Sequence, residues 1–132
     1  MSGIAGRKAI VLLTYGEDTC SRLVGGDKVL ARIEEFGIPI YIVQYEARSC
    51  PKSSTDFLVR LASESGGRYF RANSIRNIEE ALSRIADDLQ GHYTICYYPS
   101  NPSNIVGYRQ IKVNVDRPEV KIRARTGYRV NF

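Results

Sequence analysis

AIVLLTYGEDT, residues 9–19, decides how the rest of the chain is read. AIVLLT (9–14) is a continuous apolar run of strand length with no polar alternation. Such runs belong to strands covered on both faces, as in a parallel sheet. The run then breaks into Tyr15, Gly16, Glu17 and Asp18, where a buried strand emerges into a loop. A second run of the same kind, IPIYIV (38–43), follows, with Pro39 near its start, where a strand tolerates it. Between the two lies KVLARIEEFG. There Val29, Leu30, Ile33 and Phe36 fall on one helical face and Gly37 is a natural stop.

Strand, helix, strand repeats downstream. DFLVRLASESGG carries an apolar stripe of Phe57, Leu58, Leu61 and Ala62, with Thr55 or Asp56 as the expected cap and Gly66 as the end. GRYFRA (67–72) is a short strand. Ser74 caps a third helix on which Ile75, Ile78, Leu82, Ile85 and Leu89 share a face, and Gly91 terminates it. This alternation predicts right-handed crossovers and a parallel sheet over residues 6–91.

After Gly91 the pattern changes. YTICYY (93–98) is strand-like, with Tyr93, Tyr97 and Tyr98 expected to pack. RQIKVNV (109–115) and VKIRART (120–126) alternate strictly about a turn at 116–119. Residues 92–132 therefore predict an antiparallel extension with one buried face and one wet, basic face formed by Lys112, Lys121, Arg123 and Arg125.

At 132 residues, 43% of them hydrophobic and 25% charged, the chain is expected to form a single globular domain. No apolar stretch approaches the roughly 20 residues that span a bilayer. Residues 1–8 place Arg7 and Lys8 after a small-residue stretch, the reverse of a secretory signal, so no export signal is expected in this chain. Cys20, Cys50 and Cys96 form no CxxC pair and His92 is the one histidine, which argues against a zinc site. The net charge of +5 is uneven: residues 1–106 hold 12 basic and 12 acidic side chains, and residues 107–132 hold seven and two.

Six segments in order carry a resemblance: GRKAIVLLTYGEDTCSR, GIPIYIV, LASESGGRYFRA, IEEALSRIADDLQGHYTICYYPSN, YRQIKVNV and VKIRARTGY. From about Gly6 to Tyr128 the chain resembles the C-terminal half of von Willebrand factor type A-related domains of the acidobacterial type. The resemblance implies a three-layer, doubly wound, Rossmann-like sheet and a non-catalytic role in adhesion or protein–protein binding. It also implies a family that is often exported. Members of that family hold Mg²⁺ with oxygen ligands from a D-x-S-x-S loop, a threonine and the aspartate of an L-T-D-G turn. This chain has no D-x-S-x-S, and its corresponding turn is Leu13-Thr14-Tyr15-Gly16. A tyrosine phenol, protonated at neutral pH, is a poor ligand for Mg²⁺. A degenerate metal site is therefore expected, with no cofactor, and Glu17 and Asp18 are the residual cation candidates.

The resemblance has a second consequence. The first half of the family's sheet has no counterpart here, so AIVLLT is expected to form an exposed apolar edge, with Ile10, Leu12 and Tyr15 offered to a partner. Self-association, a chain supplying the missing half-sheet, or the C-terminal hairpin folding back over the edge is expected to cover it. Two other classes compete. A basic nucleic-acid-binding module would use Lys112, Lys121, Arg123 and Arg125 with Tyr108 and Tyr128. A small hydrolase-like enzyme on the same sheet would need a nucleophile, a base and an acid at strand ends. No G-x-S-x-G elbow, phosphate loop or paired carboxylate at convincing spacing supplies them, and Asp87-Asp88 is expected to lie on a solvated helix face.

Overall fold

A computed structural model describes residues 7–14, 26–45, 52–100 and 106–130. Within them the chain is mixed α/β. Its order is β1 (Ile10–Thr14), α1 (Gly26–Phe36), β2 (Ile40–Tyr45), α2 (Lys52–Ser65), β3 (Arg68–Ala72), α3 (Ile75–Gln90), β4 (Gly107–Gln110) and β5 (Gly127–Val130). β1, β2 and β3 form a parallel sheet in that order, and β4 and β5 form a separate antiparallel pair. Ile10 stands beside Ile40, and Tyr41 beside Arg68.

The apolar runs explain the centre. β2 lies between two strands, and Ile40 through Gln44 are all buried. Its side chains alternate between two cores. Ile40 and Ile42 meet Leu30 of α1 and Leu58, Leu61 and Ala62 of α2 on one face. Tyr41 and Val43 meet Ala72 of β3 and Ala81 and Ile85 of α3 on the other. The two βα crossovers thus cover one face of the sheet, and the helix that follows β3 covers the opposite one.

Helix ends follow local chemistry. Gly37 (φ 60°) ends α1, its N–H donating to the carbonyl of Ile33 at 2.9 Å. Gly66 (φ 80°) ends α2, with Gly66 N–H donating to Ser63 O and Gly67 N–H to Ala62 O. Both glycines supply the left-handed residue that such caps need. Ser65 ties this end to the sheet: its buried hydroxyl donates to Ala62 O and accepts from Ile40 N–H at 3.0 Å. Ser74 caps α3, its hydroxyl accepting from Asn77 N–H at 3.3 Å.

Several expectations are corrected. α2 begins at Lys52, so Thr55 and Asp56 are helical residues rather than caps. Residues 93–98 belong to no strand, and Tyr93, Ile95, Tyr97 and Tyr98 are exposed. The hairpin is paired only at its base, Gly107 opposite Val130 through Gln110 opposite Gly127, with one further bond from Ile111 N–H to Thr126 O at 2.8 Å. Its turn closes at Arg117–Val120, one residue later than expected, with Pro118 at the favoured second position. Val115, Val120 and Ile122 are exposed, so the expected buried face does not form there. β5 lies against α1, whereas Val115, Val120 and Ile122, farther out along the ribbon, have no covering layer among the described residues.

Candidate functional site

Two regions of the sheet hold unsatisfied chemistry. The first is the carboxyl end of the parallel strands, where open α/β sheets bind ligands. Gln44, the last residue but one of β2, lies there fully buried beside Thr14. Its side-chain oxygen accepts from the hydroxyl of Tyr69 and, at 3.5 Å, from that of Thr55. Its amide nitrogen has no hydrogen-bond partner. These groups are neutral and weakly reactive, and they link α2 and β3 to the central strand. Tyr15, Glu17 and Asp18, which follow β1 in sequence, lie outside the described residues. Among the described residues no three His, Cys, Asp or Glu side chains converge as a metal-binding group.

The second region is the free side of β1. Among the described residues β1 pairs with β2 alone. Ile10 N–H donates to Pro39 O at 3.0 Å, so Ile10, Leu12 and Thr14 direct their backbone groups to β2. The backbone N–H and C=O of Val11 and Leu13 therefore point to the open side. Side chains there are apolar and wet: Val11 is 45% exposed, Leu12 38% and Leu13 59%. Ile10 is half-buried and lines a groove of about 760 Å³ with Val29, Ile33 and Phe36, rimmed by Lys28, Glu35 and Arg129. On the other face Leu13 and Thr14 border a smaller groove of about 340 Å³ with Tyr45, Ile75 and Ile78. Among the described residues no helix covers Val11 and Leu13, because α3 packs over β2 and β3.

The four basic residues do not share one surface. Lys112 and Lys121 are exposed. Arg123 instead bonds the carboxylate of Asp88 on α3, which also lies 3.6 Å from Arg68 of β3. Arg125 stacks over Tyr128 at 5.5 Å, and its guanidinium lies against Gly37. Asp88 is therefore not on a solvated face, as its position beside Asp87 suggests. It is a mostly buried clamp that joins β3, α3 and the hairpin. The signal was present in the sequence: Asp88 follows buried Ile85 by three residues and buried Ala81 by seven, on one helical side.

Two tyrosines titrate abnormally high. Burial pushes the Tyr41 phenol up, and the negative charge of Asp88 adds to this against the pull of Arg123 and Arg68. A hydrogen bond to Tyr128 raises Tyr97, despite the exposure of its ring.

Comparison with known proteins found no matching family model, no matching curated protein and no matching solved structure.

Proposed function

We propose that this chain is a non-catalytic protein-interaction module of the von Willebrand factor type A kind, with a three-layer doubly wound core and a degenerate cation site. The observation that carries the proposal is the outer side of β1. It is an uncharged strand with exposed Val11, Leu12 and Leu13 and with outward backbone groups at Val11 and Leu13. Edges of this kind accept an extended chain, with main-chain hydrogen bonds supplying affinity and alternate side chains supplying specificity. The grooves flanking β1 on both faces give those side chains somewhere to go. Tyr15, in the place of a metal-binding aspartate, supports the loss of cation-dependent adhesion.

Selection of extended heptapeptides displayed on phage tests the docking edge. The expected binders alternate apolar and polar residues, and Leu13→Lys weakens them at least about tenfold. A selection that yields no binder, or only binders indifferent to Leu13→Lys, refutes the proposal. Addition of Mg²⁺ to about 10 mM is expected to leave the melting temperature unchanged. A rise of several degrees would restore a functional cation site.

A further inference from the structure

Among the described residues the sheet has two edges, and they differ. β3 carries Arg68 and Arg71 within five residues, and Arg68 is drawn to Asp88, which also holds Arg123 of the C-terminal segment. Charged edges of that kind resist pairing with another chain. β1 has no charge between Ala9 and Thr14. Resting on the reading of β1 as a docking edge, we propose that its occupant is β1 of a second copy, paired antiparallel about a two-fold axis through Leu12.

The backbone makes this edge its own complement. Its outward groups sit at Val11 and Leu13, one residue to either side of Leu12. An antiparallel copy centred on Leu12 places Val11 opposite Leu13 of the copy as a hydrogen-bonded pair, twice over. Leu12 meets Leu12 as the closer, non-hydrogen-bonded pair. On the α3 face Val11 and Leu13 of each copy form cross-strand apolar pairs. On the α1 face the two Leu12 side chains cover each other. The three exposed residues of β1 are thus buried by one operation.

Charge agrees with this direction. In sequence Arg7 and Lys8 precede the strand and Glu17 and Asp18 follow it, so an antiparallel copy brings basic ends to acidic ends. A parallel copy would set like against like. α1 packs on Ile10, Ile40 and Ile42, on the face opposite α3, and Arg129 of β5 lies beside it. The product is a six-stranded sheet with β3 and its arginines at both outer edges.

Light scattering coupled to size-exclusion chromatography, at about 10 to 200 μM, tests the assembly. The full chain is expected at twice the single-chain mass. Val11→Lys combined with Leu13→Lys is expected at the single-chain mass, with circular dichroism unchanged. Register is tested separately, after Cys20, Cys50 and Cys96 are replaced by serine. Mild oxidation is expected to link Leu12→Cys into a disulfide dimer, because non-hydrogen-bonded antiparallel pairs have the Cα separation a disulfide needs. Leu13→Cys, which faces Val11 of the copy, is expected to link at least about tenfold more slowly. A monomer at 200 μM, or equal linking at both positions, overturns the two-fold. If selected peptides still bind a monomeric chain in a Leu13-dependent way, the docking edge stands and only the identity of its occupant falls. If the double-lysine variant fails to fold, the Leu12→Cys and Leu13→Cys comparison decides alone.

Discussion

Replacing Asp88 with asparagine tests the clamp that holds the C-terminal extension against the α/β body. The carboxylate is only 14% exposed and faces two guanidinium groups, Arg123 in hydrogen-bond contact and Arg68 at 3.6 Å. Breaking a fully buried pair costs about 3–5 kcal/mol, because a stranded charge remains. Breaking an exposed pair costs about 0.2–1 kcal/mol. This pair lies between those limits. Both arginines are about one-third exposed, so each regains water when the carboxylate is lost. A cost of about 2 kcal/mol follows from that balance of desolvation and rehydration. For a chain of this size it corresponds to a fall in melting temperature of about 6–10 °C. Urea unfolding would shift its midpoint by about 1 M. Asp87→Asn, one residue away and exposed, is the control and should stay within about 0.5 kcal/mol. Hydrogen exchange should quicken around Arg123 more than at Ile42 in the central strand. A double-mutant cycle with Arg123→Met should return a coupling of about 1 kcal/mol or more. A shift for Asp88→Asn no larger than for Asp87→Asn, with no coupling to Arg123, would refute the clamp.

Three further outcomes are expected. Gly67→Ala would drive a methyl group into the carbonyl and backbone of Ile40 at the start of the central strand. A loss of about 3 kcal/mol or failure to fold should follow, and a near-neutral urea midpoint would contradict the close approach of those backbones. Ser74→Ala removes the hydroxyl that caps α3 and should cost about 1 kcal/mol by the same measurement. The Tyr41 phenol keeps its proton in the folded state at pH values where the unfolded chain releases it. Its contribution is complete below pH 10 and is lost as pH rises through the raised folded value. Urea melts from pH 8 to 11 should show that decline, and Tyr41→Phe should lessen it.

Local chemistry was legible wherever neighbours in sequence are neighbours in space. Gly37, Gly66 and Ser74 mark helix ends because capping bonds reach only a few residues along the chain. The apolar runs at 9–14 and 38–43 announced parallel strands, but burial on both faces holds only for the second, since Val11, Leu12 and Leu13 of the first are exposed. The strand boundaries then moved by up to two residues, β2 starting at Ile40 rather than Ile38. Alternation in 109–126 was a weaker guide. It describes which side chains share a side of an extended chain, and it carries no information on whether another layer covers that side. Val115, Val120 and Ile122 have the spacing of a buried face and are exposed. YTICYY has strand composition, and its tyrosines stand in water instead.

Asp88 shows the same limit from the polar side. Its helical position placed it near the buried stripe, but its partners come from residues 68 and 123. Ion pairs between groups far apart in sequence depend on how strands and helices are set against one another, which no local pattern encodes. What the amino-acid sequence determined by itself is the set of elements: three strand–helix units in order, their caps, and a basic C-terminal tail. Tertiary structure decided that, among the described residues, β2 is the central strand and β3 an edge clamped by charge, while β1, expected from the resemblance to be an exposed edge, pairs on one side only. The physical reason is burial. A strand's composition states how much surface it must hide, and only the packed sheet shows whether anything is there to hide it.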